Sequence, residues 1–383
     1  MSFFKNYLLR YTDDQVEDLK KKWCRNQHDI QILETAIKIK DWCSQYSEDH
    51  PAVVIQRKRM VQHMTSLLEE WLKKYATGSN IRLIVIRWFY TQQLLDYDAK
   101  DPLFPVSTSR NEGLWYEISR ENVPHEEIPN FENFIQQLSC SFIEHTAGTK
   151  VCEHFQGDIE IDGDTVTINY SKYHNKISFN YFNKLKTLYV GKPDDFTKHL
   201  FNLINRYQTL FAPGYHASVP EKVFGVLLRE LQLEHEIFAS PFNNTLSNYT
   251  SAYPDTDKIF GSKGNFFEVY SDLFSAGGSF EANPPFLEEH MAALALIIEE
   301  NLAREIPFSF VVIVPAWYDT LLYNIFMSSR YNILKDKYIY LNRHEHYYRN
   351  GAQTFIGPDT LRKSNSDTLV FILQNIPGEQ KYP

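Results

Sequence analysis

The apolar run FSFVVIVP at residues 308–315 constrains the fold more than any other feature of the sequence. A run with almost no polar interruption is typical of a strand buried on both faces, as in a sheet that helices cover on either side. Helical and strand patterns alternate around this run. Helices are predicted at 220–231 and, with an amphipathic pattern, at 290–303, and strands at 234–239, at 277–282, within YIYLNRHEHYY and at 368–375. This alternation predicts an α/β fold with a doubly wound sheet.

The first half of the chain has mainly helical patterns. Apolar residues recur at helical spacing over residues 11–75 and again from about 131 to 156. Thr12 fits the N-cap of the first helix, with Gln15 as its capping-box partner. The run IRLIVIRWFY at 81–90 is ambiguous, because its apolar pattern fits either a buried strand or the start of a helix.

The sequence DIEIDGDTVTINYS reads as a β-hairpin that turns at Asp162-Gly163-Asp164. After about residue 214 the chain changes character, from helical segments to alternating strands and helices. We therefore predict two domains. Residues 1–210 would form a mainly helical accessory domain with the small hairpin, and residues 211–383 the α/β domain.

The total charge limits how this chain could bind nucleic acid. Its formal net charge is −9, whereas proteins that coat nucleic acid are usually basic. A nucleic-acid ligand would therefore be short and would meet a local basic patch. The best candidate patch is the stretch from Lys172 to Lys198, where lysines and aromatic residues are interleaved. Lysines bind phosphates and aromatic rings stack on bases, which makes Lys172, Lys176, Lys184 and Lys186 candidate substrate contacts. The alternative is an amphipathic helix with solvated lysines.

Neither a membrane segment nor a cysteine site is indicated. No stretch approaches the roughly 20 apolar residues that span a bilayer, and the first residues do not resemble a secretory signal. Cys24, Cys43, Cys140 and Cys152 form no C-x-x-C pair, which fits neutral thiols in a reducing compartment. We expect an intracellular protein that does not enter a membrane.

The stretch GGSFEANPPFLEEH at 277–290 contains the most informative motif, Asn283-Pro284-Pro285-Phe286. It follows a predicted strand and precedes a predicted helix, and open α/β sheets bind ligands at the carboxyl ends of their strands. Two successive prolines hold Asn283 in an extended conformation and leave the Pro284 carbonyl without a helical partner. The simpler alternative is a surface proline turn or a peptide-docking segment.

The motif suits an exocyclic amine such as adenine N6. The Asn283 side-chain oxygen can accept one amine hydrogen and the Pro284 carbonyl the other, while Phe286 stacks on the base. Two such acceptors stabilise the positive charge that the nitrogen gains as it attacks a methyl group. S-adenosylmethionine is the expected methyl donor, held in line with the amine.

Several segments closely resemble the phosphorylated-CTD-interacting factor family. The resemblance is carried by GSFEANPPFLEE together with FASPFN at 238–243 and SAYPDTDKIFGSKG at 251–264. Three later segments are also similar to that family: FSFVVIVPAW, HEHYYRNGAQ and LVFILQNIPG. The similarity of KISFNYFNKLKTLY is weaker. Animal members carry an N-terminal WW domain. We expect none here, since the residues between Trp23 and Trp42 have a helical pattern.

This resemblance implies a fold, an activity and a set of site residues. It implies a Rossmann-like methyltransferase domain beside an RNA-contacting helical domain, and N6-methylation of the adenosine next to the 7-methylguanosine cap of mRNA, with S-adenosylmethionine as cofactor. It assigns the catalytic role to Asn283, Pro284, Pro285 and Phe286. The cofactor-binding residues it implies are Ser240, Pro241, Phe242, Asn243, Asp255, Asp257, Gly261 and Ser262.

The resemblance also bears on the substrate and partners. Trp317 is a candidate to stack on the positively charged 7-methylguanine, with core packing as the alternative, and Arg349 a candidate for the cap phosphates. The expected partner is the capped 5′ end of mRNA, with RNA polymerase II or the capping machinery less strongly implied because the WW domain is not expected. His344-Glu345-His346 could suggest a metal site, but methyl transfer from a sulfonium needs none.

Two other functions stay open at this point. One is an adenine N6-methyltransferase that acts on DNA or on internal RNA sites. The other is a catalytically silent scaffold that binds RNA or protein, which the intact Asn-Pro-Pro-Phe motif argues against.

Overall fold

The computed structural model describes residues 11–40, 49–75, 81–95, 101–104, 118, 123–149, 155–210, 216–350 and 361–382. The α-helices are α1 Asp13–Trp23, α2 Gln27–Lys40, α3 Pro51–Leu72, α4 Ile81–Leu95, α5 Ile128–Ala147, α6 Phe179–Leu188, α7 Phe196–Thr209, α8 Glu221–Leu231, α9 Pro254–Asp257, α10 Phe266–Leu273, α11 Glu288–Leu302, α12 Leu321–Ser328 and α13 Ile376–Lys381. The strands are β1 Gly157–Asp162, β2 Thr165–Tyr170, β3 Tyr173–Ser178, β4 Ala217–Ser218, β5 His235–Ala239, β6 Tyr249–Ser251, β7 Gly278–Ala282, β8 Phe308–Pro315, β9 Ile339–Leu341, β10 Tyr347–Asn350, β11 Leu361–Lys363 and β12 Thr368–Gln374. None of the helices described is long and apolar enough to cross a membrane.

A six-stranded mixed sheet organises the C-terminal half, in the order β6-β5-β7-β8-β12-β9. The four strands from β6 to β8 run parallel to one another, and β12 runs antiparallel to both β8 and β9. Strand β8 is the apolar run at 308–315, and all of its residues are buried. The predicted α/β class is confirmed, with a mixed central sheet and helices packed against it.

Helix α11 corrects one prediction. The segment from 290 to 303 was expected to be amphipathic, but nearly every side chain of α11 is buried. The reason is long-range packing, because α2 covers the face that would otherwise meet solvent. Trp23, Ile32 and Ile39 share one hydrophobic core with strands of the central sheet.

The N-terminal helices form largely as the sequence predicts. Thr12 caps α1, with the reciprocal Gln15 bond of a capping box. The ambiguous run at 81–90 lies in helix α4, which packs against α3. Trp23 is buried at the end of α1, while Trp42 lies outside the described residues. The boundary at residue 210 stays a prediction, and the core that joins α2 to the sheet crosses it.

The predicted hairpin is confirmed as β1 and β2, with Gly163 in the turn at φ 56°. A third strand, β3, follows and pairs with β2. The basic stretch from Lys172 therefore begins as a strand and becomes helical only at Phe179, where the Ser178 side chain caps α6. The helical alternative for this stretch was right only for its second part.

Candidate active site

The carboxyl ends of four parallel strands define one edge of the central sheet. β5 ends at Ala239, β6 at Ser251, β7 at Ala282 and β8 at Pro315. Since β6 and β7 lie on opposite sides of β5, the chain changes direction across the sheet at β5. Ligands bind in open α/β sheets at the carboxyl edge, next to such a switch point.

The Asn283-Phe286 motif stands between two cavities at this edge. Pro285 lines a narrow cavity of about 80 Å³. Asn283, Pro284 and Phe286 line a wider cleft of about 300 Å³. We call the first the inner cavity and the second the outer cleft. The motif therefore lies between a smaller cavity and a larger one, both of which are partly open to solvent.

Asn283 is held in one orientation by the backbone beside it. Its Nδ2 donates a hydrogen bond to the carbonyl oxygen of Ala217, 3.0 Å away. Only the amide nitrogen can donate, so this bond fixes which end of the side chain is which. The other terminal atom of the amide is therefore Oδ1, which can only accept a hydrogen bond. Ala217 belongs to β4, which pairs with Asn350 of β10.

The two prolines shape the loop that follows Asn283. Pro284 is buried and Pro285 half-buried. The carbonyl of Pro285 accepts a hydrogen bond from the Leu287 N–H at 2.7 Å, whereas no backbone N–H of the described residues donates to Pro284. The role of the Pro284 carbonyl as a second acceptor for an amine stays a prediction. Helix α11 begins immediately afterwards, and its Glu288 bonds His28 of α2 at 3.0 Å.

Aromatic and basic side chains line the rest of the outer cleft. Trp317 follows β8 and meets Phe286 edge to face, with ring centroids 6.3 Å apart. Four cationic side chains from three elements also line it, namely Arg87, Arg349, Arg362 and Lys363. The structure thus places the predicted residues Trp317 and Arg349 in the same cleft as the motif. Arg349 also pairs with Glu221 at 3.0 Å.

Sequence reasoning missed Arg87, Arg362 and Lys363. They come from α4 and β11, far from the motif along the chain, so no local spacing connects them. One signal was present, because Arg87 interrupts an apolar run in which a charged residue is unexpected. Arg362 and Lys363 gave no comparable signal.

The loop after β5 is braced from within. Ser240 Oγ bonds Asn243 Oδ1 at 2.7 Å, and Asn243 Nδ2 donates to the His216 carbonyl at 3.1 Å. Phe242 is fully buried in the core. Of the predicted residues in this loop, Asn243 lines the inner cavity, together with Phe238 and Ala239. Phe238 has φ 65°, a left-handed conformation that is costly for a bulky residue and is often found at functional sites.

The segment after β6 contains the other predicted cofactor residues. Asp255 lines the inner cavity but makes a bidentate ion pair with buried Arg206, at 2.9 and 2.6 Å. Asp257 accepts a hydrogen bond from Tyr207 at 2.7 Å, and burial raises its pKa to about 6. These bonds hold the segment in place.

Gly261 and Ser262 support the same segment from outside the cavity. Gly261 has φ 92°, and Ser262 Oγ lies 2.6 Å from Ser251 Oγ. Neither belongs to the described lining of the inner cavity. A direct role of Asp257, Gly261 or Ser262 in cofactor binding stays a prediction.

Two buried polar atoms in the inner cavity indicate a ligand. Thr250 Oγ1 and His290 Nδ1 are buried and have no hydrogen-bond partner among the described residues. Burial lowers the pKa of His290 to about 3, so this imidazole is neutral. Buried polar groups are rarely left without a partner. The cavity therefore offers hydrogen-bonding groups to a small polar molecule.

The predicted lysine contacts lie elsewhere. Lys184 Nζ donates to the carbonyls of Phe242 and Asn244, at 2.9 and 2.7 Å, and so braces the loop after β5. Lys172, Lys176 and Lys186 are exposed. Within the described chain none of these four lysines lines the inner cavity or the outer cleft. Contact with a longer substrate is the role that stays a prediction for them.

Two buried carboxyl groups lie under the site. Glu236 of β5 and Glu281 of β7 are paired in register. Burial raises the pKa of Glu236 to about 7, although its Oε2 accepts N–H bonds from Thr245 and Leu246. Burial and the charge of Glu236 raise the pKa of Glu281 well above its usual value. Glu281 is therefore the carboxyl group of this pair that stays protonated near neutral pH.

The geometry places the Asn-Pro-Pro-Phe motif between a small cavity and a basic, aromatic cleft. Two comparisons with known proteins agree with it. Residues 181–351 match the family model described as Phosphorylated CTD interacting factor 1 WW domain. The resemblance drawn from the motif is therefore confirmed over these residues, which include α6 to β10 and the Asn-Pro-Pro-Phe motif.

Curated relatives carry the same resemblance. The chain is 36% identical over 241 residues to the human protein named mRNA (2'-O-methyladenosine-N(6)-)-methyltransferase, and 35% identical to the Mus musculus protein of that name. Each alignment covers 59% of this chain and 33% of the relative. The chain thus matches about a third of the length of these relatives.

Proposed function

We propose that this chain methylates N6 of the adenosine next to the 7-methylguanosine cap of mRNA. The observation that carries the proposal is the position of Asn283-Pro284-Pro285-Phe286 between a small cavity and a basic, aromatic cleft. A methyl donor in the first and a capped 5′ end in the second would meet at the motif. The name of the relatives, which specifies an adenosine N6-methyltransferase for mRNA, supports the same reading.

The motif residues would act on the adenine amine. Asn283 Oδ1, oriented by the bond to Ala217, would accept one N6 hydrogen, and the Pro284 carbonyl the other. Phe286 would stack on the base and hold the amine at these acceptors. As the nitrogen attacks, it gains positive charge, which two fixed acceptors stabilise without reorganising.

The inner cavity is the proposed site of S-adenosylmethionine. The unpartnered Thr250 Oγ1 and His290 Nδ1 fit the polar groups of such a molecule, and Phe238 offers an aromatic surface. When bound, this cofactor supplies an electrophilic methyl group on a sulfonium. The order of loops along the carboxyl edge supports a Rossmann-like methyltransferase domain, beside a helical domain that contacts RNA.

The outer cleft would hold the cap and its phosphates. Arg87, Arg349, Arg362 and Lys363 suit the triphosphate bridge, which carries several negative charges. Trp317 would stack on the 7-methylguanine, whose positive ring favours an aromatic partner. An intracellular location and contact with RNA polymerase II or the capping machinery belong to the same proposal.

The proposal is tested by methyl transfer from labelled S-adenosylmethionine to two short RNAs that begin with adenosine. One carries a 7-methylguanosine cap and the other a bare triphosphate. We expect label on the capped RNA only, recovered as N6-methyladenosine after digestion. Equal label on both RNAs would mean that the protein methylates adenosine N6 without recognising the cap. Label on neither, with S-adenosylhomocysteine still bound, would contradict the proposed activity.

A further inference from the structure

An exposed aromatic surface continues from the outer cleft on the side of Trp317. It consists of Tyr318, Tyr323, Tyr338 and Tyr340, which we call the tyrosine patch. The rings of Tyr318 and Tyr323 meet at 5.2 Å, and those of Tyr323 and Tyr338 at 6.3 Å. Tyr318 and Tyr340 remain 46% and 44% exposed. Large aromatic rings held in a group at the surface are typical of a binding site.

The sheet places this patch at the same edge as the motif. Pro315 at the end of β8 and Leu341 at the end of β9 both pair with Thr368 of β12. Strands β8 and β9 therefore run in the same direction and end in one row. Trp317, which lines the outer cleft, is directly followed by Tyr318 of the patch. The patch therefore begins at the residue next to the lining of the outer cleft.

Charged residues surround the tyrosine patch. Arg25 lies near Tyr323 and Arg343 near Tyr340. The backbone N–H of Arg343 donates a hydrogen bond to Asp367 Oδ1 at 2.7 Å. Exposed Asp319 carries the opposing charge.

We propose that the tyrosine patch binds the nucleotides that follow the target adenosine, by stacking their bases on Tyr318 and Tyr340. The inference rests on the proposed function, which places the RNA 5′ end in the outer cleft. A strand held at Phe286 and Trp317 leaves the cleft past Tyr318. Stacking on aromatic rings tolerates any base, and nearby arginines meet the phosphates, so binding here would not depend on sequence. A protein ligand is the competing occupant.

The test measures affinity for RNA, so that it does not depend on methyl transfer. The probes are a capped RNA of about 12 nucleotides with a fluorophore at its 3′ end, and a capped dinucleotide that competes with it. We expect Tyr318→Ala alone to weaken binding of the long RNA roughly 5- to 150-fold, the value of one stacked base, and the double substitution Tyr318→Ala and Tyr340→Ala to weaken it further. The dinucleotide should bind unchanged. The double substitution Tyr318→Phe and Tyr340→Phe keeps the rings and should retain long-RNA binding.

Three outcomes would overturn the inference. The long RNA could gain nothing over the dinucleotide, the alanine variant could bind it as the wild type does, or the phenylalanine variant could lose as much as the alanine variant. Ile376→Ala, at a residue that is 73% exposed and outside both surfaces, is the surface control. A protein that binds long RNA through the patch but transfers no methyl group would contradict the proposed activity and leave this inference standing.

Discussion

The inner cavity and the outer cleft are built in opposite ways. The inner cavity is small, and its walls are tied by buried hydrogen bonds and by the Arg206–Asp255 ion pair. The outer cleft is wider, and its cations come from separate elements at the surface. This difference fits the two proposed ligands. The methyl donor is the same molecule in every turnover, whereas the RNA that follows the cap varies in sequence. Asn283 to Phe286 lie between the two binding sites.

The largest effect is expected from removing the Asn283 side chain, which lies between the inner cavity and the outer cleft. Asn283→Ala deletes the oriented Oδ1 acceptor, and we expect turnover to fall by about 10²–10³-fold, as for loss of one group that stabilises a charged transition state. Binding of S-adenosylhomocysteine, measured by calorimetry, should stay nearly intact, because the amide acts on the amine. Asn248→Ala, at an exposed position near β6, is the matched control. Near-normal turnover of Asn283→Ala would exclude the role proposed for Asn283.

How much of this site the sequence could predict depends on how local its parts are. Asn283 to Phe286 are consecutive, and their backbone restraints follow from proline alone, so both the motif and its place after a strand were predictable. Arg362 and Arg87 join the cleft only through tertiary packing, which no local pattern encodes. Lys184 shows the converse, because a basic residue in a promising pattern braces a loop instead.

The same distinction holds for the fold. The apolar run of β8 requires burial on both faces wherever it lies, and the structure buries it so. Helix α11 contains polar residues that suggested a solvent-facing side, but α2 covers that side. Contacts between elements far apart in the chain decided this burial, and the sequence of α11 alone does not show them.

A substitution in the inner cavity should weaken binding of the methyl donor and leave RNA binding unchanged. Thr250→Val removes the buried Oγ1 and nearly keeps the shape of the side chain. If that oxygen bonds the cofactor, affinity for S-adenosylhomocysteine should fall about 2- to 12-fold, the value of one ordinary hydrogen bond. Calorimetry measures this loss, and Thr187→Val on the exposed side of α6 is the control. Unchanged affinity, or an equal loss of RNA binding, would remove Thr250 from the cofactor site.

A substitution in the outer cleft should weaken RNA binding and leave binding of the methyl donor unchanged. Arg362→Gln removes one charge from the cleft wall, so capped RNA should bind more weakly and with less dependence on salt. For one lost phosphate contact, the slope of log affinity against log salt should become shallower by about 0.7–0.9. Arg229→Gln, at an arginine whose side chain is 69% exposed and which lies on α8, is the control for charge alone. Identical salt slopes for Arg362→Gln and wild type would place the phosphates elsewhere.

The smallest effect on activity is expected for the buried carboxyl group beneath the motif, because turnover should not change while stability does. Because burial raises the pKa of Glu281 well above its usual value, the folded protein retains a proton that the unfolded chain releases above its ordinary pKa near 4.5. Wild-type stability therefore loses this contribution as pH rises, by at most about 1.4 kcal/mol per pH unit for one proton. Glu281→Gln carries no such proton, so its stability relative to wild type should increase between pH 6 and pH 8.

Urea denaturation of both proteins at each pH measures the difference and cancels the titration of histidines that they share. Because Glu281 belongs to neither the inner cavity nor the outer cleft as the described residues line them, Glu281→Gln should keep its turnover on capped RNA. A stability difference that does not change with pH would mean that Glu281 is ionised in the folded protein. Loss of turnover at unchanged stability would instead give this carboxyl group a role in the chemistry of the motif. The active site would then include strand β7, which directly precedes Asn283.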